Sequence, residues 1–259
     1  MADCEKFLNT YKLKDMEGGL LDFDGTIVPS EKVFFHAWQE IFMNKYQCLF
    51  TDKEYIEYEL EKDTKLIDYL IECNRLSPSI EKSVLMQDVY DKYSVEYSNM
   101  LKDTDFSTVL EHIEKWRKAG IKLSIVSTSR RNYIELFFER YKDYKKMFSY
   151  IFCREDVKML KPNPMVYLLA AERLGLGHSR CLVIEDSTKG IEGAMAAHQY
   201  KLDNLCAVVD RNRLQISGNT EDVMGHDDLH ERFRAFGWNV IEINGHDMNQ
   251  IVDALDSLP

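Results

Sequence analysis

The stretch GLLDFDGTIV, residues 19–28, sets two carboxylates one residue apart at the end of an apolar run and follows them with a glycine. The apolar run predicts a buried strand over residues 19–23, which ends at Asp24, Gly25 and Thr26. Two like charges so close together repel each other unless a cation lies between them. The stretch therefore predicts a cation site at the carboxyl end of the first strand.

Downstream of residue 103 the chain alternates between helical and strand-like segments. Helices are predicted at residues 109–120, 131–141, 164–175 and 189–200, and strands at residues 121–127, 149–153, 181–186 and 205–210. Such alternation predicts a parallel sheet with helices on both faces, because parallel strands need crossover connections. The expected fold class is α/β, a doubly wound Rossmann-like sheet.

Residues 31–102 have a different texture. They are poor in glycine and carry apolar residues at spacings of three and four, which predicts helices at residues 34–42, 55–72 and 84–101. We interpret this block as an all-helical cap inserted into a core of residues 16–30 and 103–198.

Polar side chains follow several of the predicted strands. Ser127, Thr128 and Ser129 follow the strand at 121–127, Glu185 and Asp186 follow CLVI, and Lys161 lies in the loop KPNP before a helix. In an open parallel sheet the reactive crevice lies beyond the carboxyl ends of the strands, so these groups are expected to converge with Asp22 and Asp24.

Magnesium fits this set of side chains, because it prefers hard oxygen ligands and keeps several waters. One aspartate can attack phosphorus to form an aspartyl phosphate, while the other protonates the leaving oxygen and then deprotonates water. Ser127 and Lys161 would bind the phosphoryl oxygens, and Gly25 lets backbone amides approach them closely. The predicted contacts to the substrate are Gly25, Thr26, Thr128 and Ser129.

The composition limits the other classes of function. The 259 residues carry 44 acidic and 33 basic side chains, a net charge of −11 that repels a phosphate backbone and argues against nucleic acid as a partner. The sequence contains no apolar stretch long enough to span a membrane and no apolar signal segment near its start, so we expect a cytoplasmic protein. Six scattered cysteines without a C-x-x-C pair predict neither disulfides nor a zinc site.

Four motifs in order, LDFDGT, IVSTS, LKPNPMVY and VIEDSTKGI, resemble those of the haloacid dehalogenase superfamily, and SEKVFFHAW resembles the cap entrance of its β-phosphoglucomutase-like branch. The resemblance covers about residues 16–198. It implies Asp22 as nucleophile and Asp24 as acid and base. It further implies Ser127 and Lys161 as phosphate ligands, a mobile cap, and magnesium held by the acidic residues Asp22, Asp24, Glu185 and Asp186.

The mutases of that branch carry a histidine in the cap entrance that helps transfer a proton to the sugar. The matching position here is Phe34, with His36 two residues beyond. This difference disfavours a phosphomutase and favours a phosphatase.

The last third of the chain has another resemblance. Residues 194–218 and 232–247 are similar to the thiamine diphosphate region of transketolase, in which Asn212 and the carbonyl of Leu214 would be metal ligands. The G-D-G stretch of that family is missing, which makes thiamine-dependent transketolase activity unexpected. We expect residues 199–259 to form an α/β extension that continues the sheet through the strand LCAVVD.

These observations predict a magnesium-dependent phosphatase for a small phosphorylated metabolite, most simply a sugar phosphate, with no nucleic acid or membrane partner. Two alternatives stay open: a β-phosphoglucomutase-like phosphomutase and a catalytically inactive chimeric domain. The sequence does not define the oligomeric state.

Overall fold

A computed structural model describes residues 16–61, 65–177 and 180–198, together with short pieces at 207–208, 214–215, 218–219, 234, 240–243 and 250. Most of the transketolase-like segment, including Asn212, lies outside the described residues. None of the helices formed by the described residues is long and apolar enough to cross a membrane.

The central element is a five-stranded parallel sheet with the strand order β3-β2-β1-β4-β5. Its strands are β1 (Gly18–Leu21), β2 (Lys122–Val126), β3 (Phe148–Phe152), β4 (Cys181–Ile184) and β5 (Ala207–Val208). The structure confirms the predicted α/β fold with a parallel sheet. The strand predicted at LCAVVD is described at Ala207–Val208, where it pairs in parallel with β4.

Nine α-helices are assigned within the part of the chain that the structure describes in detail, up to residue 198. They are α1 (Glu31–Tyr46), α2 (Asp52–Tyr55), α3 (Leu66–Glu72), α4 (Lys82–Asp103), α5 (Ser107–Lys118), α6 (Arg131–Arg140), α7 (Lys142–Lys145), α8 (Met165–Leu174) and α9 (Thr188–His198). A π-helix spans Ile56–Glu61, and a short 3-10 helix spans Arg154–Asp156.

Contacts between Cα atoms divide the described residues into two units. The first contains the described residues of 16–28, 106–210 and 228–259, with the five-stranded sheet, and the second contains the described residues of 29–105 and 211–227. The main segment of the helical unit therefore begins after residue 28 and ends at residue 105, whereas the insertion predicted from the sequence spans residues 31–102.

Each unit has an apolar core of its own. In the sheet unit, Leu20 of β1 and Val183 of β4 pack with Val166, Tyr167 and Ala170 on the buried face of α8. In the helical unit the core is rich in aromatic side chains, with Trp38 fully buried among Phe35, Phe42, Phe50 and Tyr55. Burial of such large apolar side chains is the main stabilising contribution in each unit.

The structure corrects three of the predicted elements. The helix predicted over residues 55–72 is instead divided into α2, the π-helix and α3, and Lys65 has extended backbone angles before α3 begins. The first strand ends at Leu21 rather than residue 23, because the carbonyl of Phe23 accepts hydrogen bonds from the amides of Ile27 and Val28 and so belongs to a turn.

The third correction concerns the extension. Residues 240–243 lie in the segment WNVIEI, for which the sequence predicts a strand, but the structure assigns no strand to them. Two further strands, β6 (Leu214–Gln215) and β7 (Gly218–Asn219), pair with each other as an antiparallel hairpin and do not extend the parallel sheet.

The thiols of four cysteines in the described part are free. Cys48, Cys153 and Cys181 are buried, and Cys73 is exposed.

Candidate active site

The register of the sheet brings the ends of three strands to one level. Leu21 of β1 lies opposite Ile125 of β2 and Ile184 of β4 in parallel pairing. The residues that follow these strands therefore emerge at the same edge, as the sequence analysis predicts for parallel strands.

Three carboxylates meet at this edge. Asp22, Glu185 and Asp186 each offer an oxygen that lies within 4.8 Å of the other two. Asp22 and Glu185 are 5% and 4% exposed, whereas Asp186 is exposed. We call these three residues the acidic group. Carboxylates withdrawn from water need positive charge nearby, because burial disfavours the ionised form.

Lys161 supplies part of that charge. Its Nζ donates one hydrogen bond to Asp22 Oδ1 at 2.5 Å and a second to Glu185 Oε1. The lysine is 7% exposed, and the loop before α8 carries it into the acidic group. One ammonium balances one of the three carboxylates, which leaves an excess of negative charge at this edge.

Glu185 has an unusually complete set of donors. Its Oε1 also accepts from the hydroxyl of Tyr167 at 2.9 Å, while Oε2 accepts from the amides of Asp186 and Ser187, each at 3.1 Å, and from the Ser187 hydroxyl at 3.0 Å. Tyr167 and Ser187 are not among the site residues that the sequence predicts. The signal for Tyr167 is its place six residues after Lys161, on the apolar face of the helix that follows KPNP.

Asp24 lies near the acidic group in sequence but is not a member of it. Its Oδ2 accepts hydrogen bonds from Ser127 Oγ at 3.2 Å and from the hydroxyl of Ser129, and the Ser129 amide donates to Ser127 Oγ at 2.9 Å. In a continuous strand Asp22 and Asp24 would point to the same face, but the turn that begins at Phe23 lies between them. The predicted role of Asp24 as a side-chain metal ligand stays a prediction.

The turn after β1 brings Gly25 and Thr26 against Asp186. Thr26 Oγ1 donates to Asp186 Oδ1 at 3.2 Å. Gly25 has a φ of +78°, and a Cβ added to it would lie 1.7 Å from Asp186 Oδ2. Only glycine fits here, because both the left-handed backbone and the contact exclude a side chain. Thr128, the remaining predicted substrate contact, is exposed between the two serines.

The electrostatics of the acidic group reflect burial and crowding. Burial raises the pKa of Asp22 well above its usual value, and although Lys161 opposes this shift, the charge of Glu185 adds to it. Burial, followed by the charge of Glu185, raises the pKa of Asp186 to about 6. For Lys161 burial alone would lower the pKa, but the charges of Asp22 and Glu185 raise it overall, so the lysine stays protonated.

The residues of this edge fit a divalent cation. Three carboxylates from two separate loops offer hard oxygen ligands, and the excess of negative charge is what a magnesium ion would balance. Because Gly25 has no side chain, the Asp186 carboxylate can lie against the turn that follows Asp22. Asp22, Glu185 and Asp186 are therefore the residues that could hold a metal ion.

Comparison with known protein families gives two matches. The model of the haloacid dehalogenase-like hydrolases matches residues 20–200, and the model of the thiamine diphosphate binding domain of transketolase matches residues 181–258. The two matches overlap over residues 181–200, which contain β4 and α9.

Individual relatives follow the same division. A phosphorylated carbohydrates phosphatase of Thermotoga maritima is 28% identical over 183 residues, which cover 70% of this chain and 82% of that protein. One of the subunits of an apulose-4-phosphate transketolase from Phocaeicola vulgatus is 55% identical over 67 residues, which cover 26% of this chain. The chain spans only 24% of the length of that transketolase polypeptide.

Solved structures share the fold. A family IA, variant 3 haloacid dehalogenase hydrolase from Entamoeba histolytica superposes with a TM-score of 0.63 at 20% identity, covering 93% of this chain and 100% of the other. At this identity the comparison establishes the fold alone.

Proposed function

This chain belongs to the haloacid dehalogenase-like hydrolase family, and we propose that it is a magnesium-dependent phosphatase for a small phosphorylated metabolite, a sugar phosphate. The observation that carries the proposal is the buried contact of Lys161 with Asp22 beside the acidic group. The substrate class is supported by the Thermotoga relative, whose name describes a phosphatase of phosphorylated carbohydrates.

In the first half of the reaction we assign the nucleophile to Asp22. Its carboxylate oxygen attacks phosphorus, so that a bond from phosphorus to Asp22 forms while the bond from phosphorus to the sugar oxygen breaks. Asp24 gives its proton to the departing sugar oxygen. Ser127 and Ser129 fix the orientation of Asp24 for this transfer by holding its Oδ2.

In the second half, water hydrolyses the aspartyl phosphate. Asp24, now ionised, takes a proton from the water as the water oxygen bonds to phosphorus. The bond from phosphorus to Asp22 breaks, inorganic phosphate leaves, and the carboxylate of Asp22 is restored. The same residue, Asp24, thus serves as acid and then as base.

Charge on the phosphoryl oxygens is balanced by the surroundings of Asp22. Lys161 brings a permanent positive charge to Asp22 and to the phosphoryl group attached there. We assign further phosphate contacts to Ser127, Gly25 and Thr26, and to the neighbouring Thr128 and Ser129. Magnesium, when bound by the acidic group, supplies the remaining positive charge.

All of these residues lie within residues 16–30 and 103–198, which we propose as the catalytic core, with residues 31–102 as the helical cap. The transketolase-like segment contributes none of them. Since the chain spans about a quarter of the transketolase polypeptide, we do not propose thiamine-dependent activity for it.

The phosphomutase alternative is disfavoured by the surroundings of Phe34. This residue stands where the mutases have a proton-transferring histidine, and its ring packs against Tyr93 with the ring centroids 4.9 Å apart. A phenyl ring cannot exchange a proton with a sugar hydroxyl, so hydrolysis is the better supported reaction.

The test is phosphate release from a panel of sugar phosphates, with magnesium and with a chelator, for the full chain and for Asp22→Asn. We expect magnesium-dependent hydrolysis that falls at least about 1,000-fold in the variant, since the nucleophile is lost. Bisphosphate-dependent isomerisation without hydrolysis would favour the mutase. An inactive chain, or full activity in Asp22→Asn, would overturn the proposal.

A further inference from the structure

Tyr167 connects two of the charged groups that surround Asp22, although it carries no charge itself. It is the third residue of α8 and is 1% exposed. Its hydroxyl lies 2.9 Å from Glu185 Oε1 and 3.2 Å from the carbonyl oxygen of Gly190. The hydroxyl has one proton to donate, and the carboxylate is both the nearer and the charged acceptor, so it takes the stronger hydrogen bond.

The same Glu185 oxygen accepts from Lys161. Oε1 therefore lies between the ammonium and the tyrosine hydroxyl, while Oε2 is held by the amides of Asp186 and Ser187. Both oxygens of the carboxylate are thus fixed from opposite sides. The hydroxyl of Tyr167 is one of the donors that set the orientation of the Glu185 side chain.

The ring of Tyr167 also approaches Lys161. The Nζ atom lies 5.5 Å from the ring centroid, within the range of an attractive contact between a cation and the face of a ring. One side chain thus contacts both members of the buried ion pair, through the hydroxyl on Glu185 and through the ring on Lys161.

We propose that Tyr167 is a positioning residue, which holds Glu185 so that the ammonium of Lys161 is shared with Asp22 rather than drawn to Glu185. Without the hydroxyl, Glu185 Oε1 loses a donor, and the carboxylate compensates by binding the ammonium more closely. The positive charge available to Asp22 and to a phosphoryl group then decreases. This inference rests on the proposed phosphatase function.

The substitution Tyr167→Phe removes the hydroxyl and keeps the ring, so that packing in the core is preserved. We expect kcat to fall about 10-fold, the size expected for one hydrogen bond to a charged group. The dissociation constant of inorganic phosphate, measured by calorimetry in the presence of magnesium, is expected to rise about 3-fold or more, again from the loss of that single bond.

Tyr141→Phe is the matched control. Tyr141 is also buried in the sheet unit, and its hydroxyl accepts a hydrogen bond from the amide of Phe106. The control is expected to keep the kcat of the unsubstituted chain. Thermal unfolding of both variants separates a loss of stability from a loss of positioning.

A double-mutant cycle with Glu185→Gln, read out by phosphate binding, tests whether Tyr167 acts through Glu185. We expect Tyr167→Phe to cause no further loss in the Glu185→Gln background. Losses that multiply, or a kcat of Tyr167→Phe within about 2-fold of the unsubstituted chain, would overturn the inference. If the unsubstituted chain hydrolyses nothing, the phosphatase proposal fails instead, and the binding cycle still decides the role of Tyr167.

Discussion

At the scale of single residues, Gly25 shows how closely backbone and site depend on each other. We expect Gly25→Ala to lower the free energy of unfolding by about 1–3 kcal/mol, because a residue with a side chain is strained at positive φ. The new Cβ would also displace the Asp186 carboxylate, so magnesium-dependent phosphate release is expected to fall at least about 10-fold, as for other losses of a charged contact.

Gly120→Ala separates the two effects. Gly120 also has a positive φ, of +96°, but a Cβ there would meet nothing within 4 Å. Urea unfolding should show a comparable loss of stability, while phosphate release stays unchanged. Equal activity of Gly25→Ala and Gly120→Ala would contradict the role of the Gly25 contact.

Ser129 offers a second prediction at this scale, since its hydroxyl holds the carboxylate of Asp24. Ser129→Ala is expected to lower kcat about 10-fold, through the loss of one hydrogen bond to a charged group, and to change stability little. Ser98→Ala, which removes a hydroxyl bonded to the Ser94 carbonyl on α4, is the control. The comparison is made by steady-state kinetics with a substrate that the unsubstituted chain hydrolyses.

Polar side chains were expected to converge at one edge of the sheet because the ends of parallel strands share a level. The side chains that meet there are Asp22, Lys161, Glu185 and Asp186. The sequence did not indicate how the hydrogen bonds at this edge are divided. Asp24 accepts hydrogen bonds from two serine hydroxyls, and Glu185 accepts them from Lys161 and Tyr167. These partners depend on the directions of the side chains, which the sequence pattern does not show. In the sequence pattern, Tyr167 is indistinguishable from the other apolar positions of its helix.

At the scale of elements, β1, β2 and β4 were predicted well from the sequence, whereas the helices of residues 52–72 were not. The strands are apolar runs with polar ends, and they form close to where they are predicted. The helix predicted over residues 55–72 is not continuous, since the π-helix ends at Glu61 and the extended backbone of Lys65 precedes α3.

The start of α2 provides a prediction with a pH dependence. Thr51 and Glu54 form a capping box, and Glu54 also accepts from Arg75. Burial alone would raise the pKa of Glu54, but the hydrogen bonds from Arg75 and Thr51 outweigh it and lower the pKa from 4.5 to about 2. Because the folded pKa is depressed, the stabilisation is complete above pH 4.5 and is lost as the pH falls towards 2.

Glu54→Gln is therefore expected to lower the free energy of unfolding by about 1–3 kcal/mol at pH 7. The difference from the unsubstituted chain should decrease at pH 4 and below. Urea unfolding at pH 7, 5 and 4 measures it, with the exposed Glu72→Gln as the control. A difference that grows as the pH falls would contradict the assignment.

At the scale of the whole molecule, a short strand from the extension pairs with the edge of the sheet. Ala207 and Val208 of β5 lie opposite Val183 and Ile184, immediately before the acidic residues that follow β4. A chain ended after residue 200 loses this pairing, whereas a chain ended after residue 210 keeps it.

We expect the 1–210 chain to be soluble and active, and the 1–200 chain to unfold at a lower temperature and to aggregate, because β4 becomes an unpaired edge. Thermal unfolding, light scattering and phosphate release compare the two. A 1–200 chain as stable and active as the full chain would show that β5 is dispensable.

The sequence predicted a parallel sheet and its continuation at LCAVVD, where β5 pairs in parallel with β4. It was wrong about the strand at residues 240–243. An apolar, β-branched segment such as WNVIEI has strand propensity, but a strand forms only where a neighbour offers hydrogen bonds.

The models of two families both match the segment that contains β4 and α9. Every residue assigned to the chemistry precedes α9. The groups of the proposed reaction therefore all lie upstream of the residues that only the transketolase model matches. A change confined to the segment beyond residue 198 would alter the edge of the sheet without replacing any group of the proposed reaction.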